Sequence, residues 1–135
     1  MVELVMIIVI LGILAVVAIP RMDTSGYRAL EFHDKVVSAL RHAQKTATSH
    51  RRMVCVAFTV STVTLTIDHD KSGGCDSQAL ILPGGDSNVV QDTDAVFDPI
   101  PANFNFQPDG TGTDRTLQIS GQGSIVVVGA TGHVQ

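Results

Sequence analysis

The sequence predicts an α+β fold in which one long N-terminal helix packs on a small antiparallel β-sheet. Three observations predict it. Residues Leu4 to Ile19 contain no charged or polar side chain. Residues 27–52 place their apolar side chains on one helical stripe, and from Met53 onward apolar and polar residues alternate, as they do in half-buried strands. A chain of 135 residues has room for one globular domain of modest core beside the apolar segment.

The apolar segment, residues 1–22, is predicted to enter a membrane as a helix. Val and Ile make up nine of the sixteen residues from Leu4 to Ile19, which in water favours a strand, but a single strand in lipid leaves its backbone unpaired. The twelve Leu, Ile and Val residues contribute about −4 to −7 kcal/mol to insertion. Glu3 opposes insertion only weakly because it lies near the end of the segment, where a carboxylate costs less than at the centre. A plain anchor has no use for this carboxylate; the alternative interpretation is that Glu3 simply reaches back to the headgroups. A secretory signal peptide is disfavoured, since no basic residue precedes the apolar run.

Residues 23–52 are predicted to form an amphipathic helix, which makes one globular unit with residues 53–135. The apolar side chains of this helix fall on one stripe: Ala29, Phe32, Val36, Ala39, Leu40, Ala43 and Ala47. The many alanines favour close approach to a sheet. Pro20 has no backbone N–H, so we expect it to kink or loosen the helix between the two segments.

Short antiparallel strands are predicted throughout residues 53–135. The two clearest lie at residues 54–59 and 63–68, with Ser61-Thr62 as the tight connection between them. Residues 84–94 are predicted to form an exposed acidic loop. Further short strands are expected at residues 79–82, 96–97, 104–106, 117–120 and 125–128.

The charge is distributed unevenly along the chain. The net charge is −4, but residues 1–52 hold seven Lys/Arg and four Asp/Glu, whereas residues 53–135 hold two and nine. The first part therefore carries +3 and the second −7. An acidic second part disfavours broad contact with nucleic acid.

The two cysteines, Cys55 and Cys75, enclose nineteen residues. In the cytosol they would be two buried thiols, whereas beyond a bacterial membrane such a pair favours a disulfide. A loop of this length contributes about 3 kcal/mol in the chain-entropy model.

The first twenty-two residues resemble the N-terminal helix of type IV pilins and type II secretion pseudopilins. Val2-Glu3-Leu4, Gly12 and Pro20 carry the resemblance, with Pro20 seventeen residues after Glu3 as in that family. The resemblance implies the pilin fold and a structural role as a filament subunit drawn from the bacterial inner membrane. Glu3 would pair with the N-terminal amine of a neighbouring subunit, while Gly12 and Pro20 would let the helix adapt. The implied partners are other pilin subunits, the prepilin peptidase and the inner-membrane assembly platform.

The match also predicts residues upstream of Met1. Met1 stands where the family has its third mature residue, and the basic leader and methylated first residue of that family are not in this sequence. Basic residues flank membrane helices on the cytoplasmic side, but here Arg21, Arg28 and Lys35 follow the apolar segment. We expect the upstream codons to encode a basic leader, which would place the globular part in the periplasm.

Later motifs resemble the GspH/FimT-like branch of the pilin family. Leu40-Arg41-His42-Ala43-Gln44-Lys45 is similar to its helix signature. Its later landmarks are matched by Pro101-Ala102-Asn103-Phe104, Phe106 with Asp109-Gly110, Ile125-Val126-Val127-Val128 and Thr131-Gly132. The branch includes minor pilins and a secretion pseudopilin, and the sequence does not separate these roles.

Some relatives in this branch bind DNA during natural transformation, which is the alternative function. They use a C-terminal glycine-arginine-x-arginine motif, whereas this chain ends Gly132-His133-Val134-Gln135. Neither His133 nor Gln135 releases counterions as arginine does. Arg41, Lys45 and Arg52 could make weak anionic contacts instead, so DNA binding is disfavoured.

No residue pattern predicts an enzyme, a cofactor or a metal site. His33, His42 and His50 are nine and eight residues apart, so no two share the i,i+4 spacing of helical metal ligands. The stretch from Asp109 to Asp114 offers oxygen ligands but not EF-hand spacing, and a turn is the favoured interpretation. The predicted function is structural.

Overall fold

A computed structural model describes residues 1–17, 24–75 and 78–135. The described chain is α+β, as predicted, with two helices. Its antiparallel strands form two sheets, however, where the sequence predicted one small sheet. Helix α1 spans Val2–Val17 and helix α2 spans Thr24–His50. Within the described ranges, neither helix has both the length and the apolar character needed to cross a membrane. Pro20 and the predicted boundary between residues 22 and 23 lie outside the described residues.

Helix α2 buries the stripe that its sequence predicts. The seven predicted apolar positions are all buried, together with Thr46: Ala29, Phe32, Val36, Ala39, Leu40, Ala43, Thr46 and Ala47. The helix ends where Arg51 adopts a left-handed conformation, with φ of 51°, and the Arg52 amide donates to the Ala47 carbonyl at 3.1 Å. This closing bond satisfies a carbonyl that the helix end would otherwise leave unpaired.

Four strands form the first sheet, in the order β3-β2-β1-β4. Strand β1 (Val54–Phe58) lies between β2 (Thr62–Ile67) and β4 (Phe104–Phe106), and β3 (Val89–Gln91) pairs with the outer edge of β2. All three pairings are antiparallel. Side chains that alternate toward α2 supply the sheet's half of the core.

A second sheet of three strands follows the order β5-β6-β7. Strands β5 (Arg115–Gln118) and β6 (Ser124–Val128) form a hairpin, and β7 (His133–Val134) pairs with the other edge of β6. Strand β7 was not expected from the sequence, because two residues give too short a pattern to read. The C-terminal tail is therefore part of a sheet.

Two strand predictions and one loop prediction were wrong. Residues 79–82 and 96–97 make only isolated bridges, Thr66 to Ala79 and Phe97 to Ile119. Both Ala79 and β3 pair with the outer edge of β2, so each of them has only part of that strand to pair with. Residues 84–94, expected to be a loop throughout, contain β3, because burial of Val90 anchors that stretch against the core.

All five phenylalanines pack in one continuous row through the core. Neighbouring rings in the row have centroids 5.3–5.9 Å apart. The row begins on α2, passes through Phe97, which forms the isolated bridge with Ile119, and continues to β1 and β4. In order, its members are Phe32, Phe97, Phe58, Phe104 and Phe106. Contacts at this distance add to the free energy of burial alone, so the row ties the helix to the first sheet.

Candidate functional site

Helix α1 is the candidate assembly site, because its apolar side chains are covered by nothing in the described chain. From Val2 to Val16 every large apolar side chain is at least 54% exposed. All the buried residues of the described chain belong instead to residues 29–134. An apolar surface of this extent marks a membrane or protein contact. The core of the chain does not require α1.

Glu3 and Gly12 are placed on α1 without any packing constraint from the rest of the described chain. Glu3 lies in the first turn, where a carboxylate interacts favourably with the positive end of the helix dipole. A Cβ added to Gly12 would meet no described atom within 4 Å. Glycine costs a helix interior about 1 kcal/mol relative to alanine. Contacts among the described residues give no reason for a glycine at position 12. The third assembly residue of the sequence prediction, Pro20, is among the residues not described.

The helix signature and the C-terminal tail contact each other, which the sequence did not predict. Arg41 donates from Nε and Nη2 to the Val134 carbonyl at 3.2 and 3.1 Å. Gln44 donates from Nε2 to the Thr131 carbonyl at 2.8 Å. Between these two polar residues, Ala43 is buried against the sheets. The signature therefore packs with its apolar members and binds the tail through Arg41 and Gln44.

The tail is held closely enough that glycine is required at one position. Gly132 has a φ of 64°, which favours glycine, and its amide donates to the Val128 carbonyl at 2.7 Å. A Cβ at Gly132 would overlap the Gly110 carbonyl oxygen and approach the Gln44 side-chain nitrogen at 2.9 Å. Beyond it, Gln135 exchanges two backbone hydrogen bonds with Val126, at 2.7 and 3.0 Å.

The three cations proposed for weak anionic contacts are not gathered into one site. Arg41 is turned to the tail, and Arg52 donates from Nη1 to the His69 carbonyl. Lys45 is exposed on the outer face of α2. Two of the three guanidinium or ammonium groups thus bind carbonyl oxygens of the chain itself.

The two cysteines are joined in a disulfide, with their Cα atoms 5.9 Å apart. The bond connects β1 to the loop that follows β2. In the same loop the buried Asp68 carboxylate accepts hydrogen bonds from the Ser72 and Gly73 amides, at 3.2 and 2.9 Å. The loop is therefore fixed covalently at Cys75 and by hydrogen bonds at Asp68.

Two aspartates are stabilised as carboxylates by local hydrogen bonds. Backbone hydrogen bonds from Asp94 and then Ala95 hold the pKa of Asp92 below its ordinary value. At Asp109, the Thr111 hydroxyl and then the Thr111 amide lower the pKa. The hydroxyl lies 2.7 Å and the amide 2.9 Å from Oδ1 of Asp109. These contacts form the turn expected at this position.

The histidines and acidic side chains of the described ranges were candidates for a metal or catalytic site. No group of three or more His, Cys, Asp or Glu side chains there could hold a metal ion. Nδ1 of His33 lies 3.3 Å from the neighbouring Asp34, and Nε2 of His42 lies 3.2 Å from the Ile81 carbonyl. Both contacts lie at the surface.

An ion pair between Arg28 and Asp94 joins the first turns of α2 to the loop after β3. Sequence reasoning missed it because the residues are 66 positions apart.

No protein-family model matches this chain, and no curated protein or solved structure matches it either. The family resemblance therefore rests on the residues themselves.

Proposed function

We propose that this chain is a structural subunit of a filament of the type IV pilus or type II secretion pseudopilus kind, of the GspH/FimT-like branch and with a pilin fold. The observation that carries the proposal is α1. It combines an apolar surface exposed on every side with a carboxylate, Glu3, in its first turn. A plain anchor has no use for that carboxylate, whereas an assembling helix can pair it.

The proposed mechanism is an exchange of the surroundings of α1. Before assembly its side chains contact the lipid of the bacterial inner membrane, and in the filament they contact the same helices of neighbouring subunits. Because both surroundings are apolar, the exchange costs little hydrophobic free energy. Glu3 then pairs with the N-terminal amine of the next subunit, so that neither charge is buried alone.

The globular part supports the proposal through the contacts of the helix signature. Arg41 and Gln44 of the signature hold the tail at Val134 and Thr131, and Thr131 is among the last landmarks of the resemblance. Two motifs 87 or more residues apart in sequence thus meet in the fold. Such a contact gives a physical reason for both motifs to occur in one chain.

The proposed location follows from the same reasoning. The globular part would lie in the periplasm, on the oxidising side of the membrane, where the Cys55–Cys75 disulfide is stable. The prepilin peptidase would process the chain, and the inner-membrane assembly platform would insert it into the filament.

A Glu3→Ala substitution tests the proposal in cells, with the protein expressed from its native gene. Membrane insertion should be unchanged or improved, while recovery of the chain in sheared filaments should fall at least about 100-fold, since a buried unpaired charge costs about 3–5 kcal/mol. Glu31→Ala is the matched control, because Glu31 is exposed on α2 and pairs with Lys35 at 2.6 Å within the same helix. Absence of the wild-type chain from filaments, or normal recovery of Glu3→Ala, would contradict the proposal.

The alternative function, DNA uptake, gains no support from the contacts. Arg41 and Arg52 bind backbone carbonyls, and the tail that carries arginines in DNA-binding relatives is here paired into a sheet. DNA binding by this chain is therefore expected to be weak.

A further inference from the structure

Three cations line one cleft just beyond the C-terminal end of α2. Arg51, Arg52 and Lys71 line it together with Asp68, and its volume is about 430 Å³. Volumes of this size are typical of sites for small molecules. Residues 53–135 hold only two Lys or Arg against nine Asp, and one of those two cations, Lys71, lies here. We call this the basic cleft.

Two segments that are distant in sequence form the basic cleft. Arg51 and Arg52 follow the last residue of α2, and Lys71 lies in the loop after β2. The two segments are joined where Arg52 donates from Nη1 to the His69 carbonyl. The buried Asp68 carboxylate accepts hydrogen bonds from two amides of the same loop, which fixes the backbone on either side of Lys71. The three cations are therefore held at one place by the fold.

Two of these cations adopt an unfavourable backbone conformation. Arg51 has a φ of 51° and Lys71 a φ of 59°, both in the left-handed region. Among the residues that the structure describes, no other non-glycine residue has a positive φ. Glycine adopts this conformation without the steric cost that an L side chain meets. A turn alone would be better served by glycine, so the strained positions indicate a use for the two side chains.

The charges of the basic cleft are not neutralised within the chain. Arg51 and Lys71 form no hydrogen bond or ion pair with the described residues. The described lining contains one carboxylate, Asp68, so its net charge is +2 from three cations and one anion. Asp109 lies beside Arg51 at an adjoining cleft, where Oδ1 of Asp109 already accepts hydrogen bonds from Thr111. An anion from outside the chain would complete the charge balance.

We infer that the basic cleft binds the phosphate group of a small phosphate monoester. Such a group carries about −1.5 to −2 charges at neutral pH, which matches the net charge of the lining. Its three terminal oxygens accept hydrogen bonds from donors on several sides, and guanidinium groups are well suited to bind them. The remaining volume accommodates the organic part of the molecule. This ligand site is separate from the filament role, and neither requires the other.

Binding is tested with the ¹⁵N-labelled full chain in micelles of a non-ionic detergent, in phosphate-free buffer at about pH 8, where a monoester is a dianion. The probe is methyl phosphate, and its binding is followed by the amide shifts of the protein. We expect saturable shifts at Arg52, Ser72 and Gly73 with a Kd of about 1 mM or tighter. Affinity should fall as sodium chloride is added, because salt screens the attraction. Absence of saturable shifts at these amides would overturn the inference.

Neutral substitutions identify the cations that bind. Arg51→Gln and Lys71→Gln should each weaken binding of methyl phosphate at least about fivefold, because each removes a charged hydrogen-bond donor. Lys45→Gln is the matched control, since it removes the same charge from an exposed residue of α2 outside the lining. It should change the Kd by less than about twofold. If the two cleft variants lose no more affinity than the control, the cleft is not the binding site.

Arg51→Gly separates a binding role from a structural role. Glycine relieves the left-handed conformation, so the urea midpoint should be unchanged or higher. The Kd for methyl phosphate should nevertheless rise at least about fivefold, because the guanidinium is lost. A lower midpoint with unchanged binding would show that Arg51 serves the fold alone and would overturn the inference.

Two further probes identify the kind of phosphate. Dimethyl phosphate is a diester with a single negative charge, as in a nucleic-acid backbone, and should bind at least about fivefold more weakly than methyl phosphate. Equal affinity for the two would overturn the assignment to a monoester. Phosphatidic acid added to the micelles presents the same monoester on a lipid. Shifts at the same amides with phosphatidic acid at much lower concentration than methyl phosphate would assign a lipid source, whereas shifts with methyl phosphate alone would assign a soluble one.

Discussion

Replacing Gly132 by alanine tests whether the C-terminal tail is held by the helix signature as closely as the structure indicates. The substitution adds one methyl group. That group would overlap the Gly110 carbonyl oxygen and lie 2.9 Å from Nε2 of Gln44. It would also stand on a backbone with φ of 64°, where L side chains are disfavoured. Both effects oppose docking of β7.

The expected loss of stability is the sum of these two terms. The left-handed conformation costs alanine about 1–2 kcal/mol relative to glycine. Relief of the overlap requires movement of the Gly110 backbone, and forced shifts of this kind cost about 1–3 kcal/mol. The free energy of unfolding should therefore fall by roughly 2–5 kcal/mol, a large fraction of the stability of a small domain.

The assay is urea unfolding of residues 24–135, the segment that contains every buried residue of the described chain. Two glycines in the β5–β6 connection serve as matched controls. Gly121 has φ of 78° and an open surrounding, so Gly121→Ala should show only the conformational term of about 1–2 kcal/mol. Gly123 has an open surrounding and no left-handed φ, so Gly123→Ala should change stability by less than about 1 kcal/mol. Equal effects at Gly132 and Gly121 would refute the close contact between tail and helix.

Three further predictions concern the cysteines, the tail and one carboxylate. Cys55 and Cys75 should resist alkylation in denatured, unreduced protein from the periplasm, and reduction should lower the free energy of unfolding by about 3 kcal/mol; alkylation without reductant would contradict the disulfide. Duplex DNA should bind weakly at about 150 mM salt in an anisotropy titration, with affinity gained on His133→Arg with Gln135→Arg; tight wild-type binding and no gain would favour DNA uptake. The pKa of Asp92 is lowered in the fold, so its stabilising effect is present above the unfolded pKa and is lost as the pH falls through the folded pKa. Asp92→Asn should flatten the decline of stability below about pH 4, and an unchanged acid limb in urea unfolding would show that this carboxylate is not responsible.

Local periodicity was enough to predict both helices and the central strands. The buried stripe of α2 follows directly from the spacing of Phe32, Val36, Leu40 and their neighbours, because a helix repeats every 3.6 residues whatever it packs against. Strands β1 and β2 were also predicted, since the apolar positions Val54, Val56 and Phe58 of β1 are all buried, and in β2 the buried Val63 and Leu65 alternate with half-buried threonines. The apolar surface of α1 could be predicted without the tertiary structure, because the run of apolar residues is visible in the sequence itself.

Only the tertiary structure decided which strands pair at the edges. Strand β7 consists of two residues, and the outer edge of β2 is divided between β3 and Ala79. Such short segments carry no periodic signal, and their pairing depends on which backbone edge remains open after the longer strands have formed. The sequence therefore predicted a full strand at residues 79–82 and missed β3 and β7.

The roles of the polar residues were also decided by the tertiary structure. In the sequence, Arg41 is one cation on a solvent-facing stripe, available for an anion, and Gln44 has no evident role. In the fold both reach carbonyl oxygens of the tail, 93 and 87 residues away along the chain. A sequence fixes which hydrogen-bond donors a helix presents, but donors act only at short range. Which acceptors lie within reach is determined by the path of the rest of the chain.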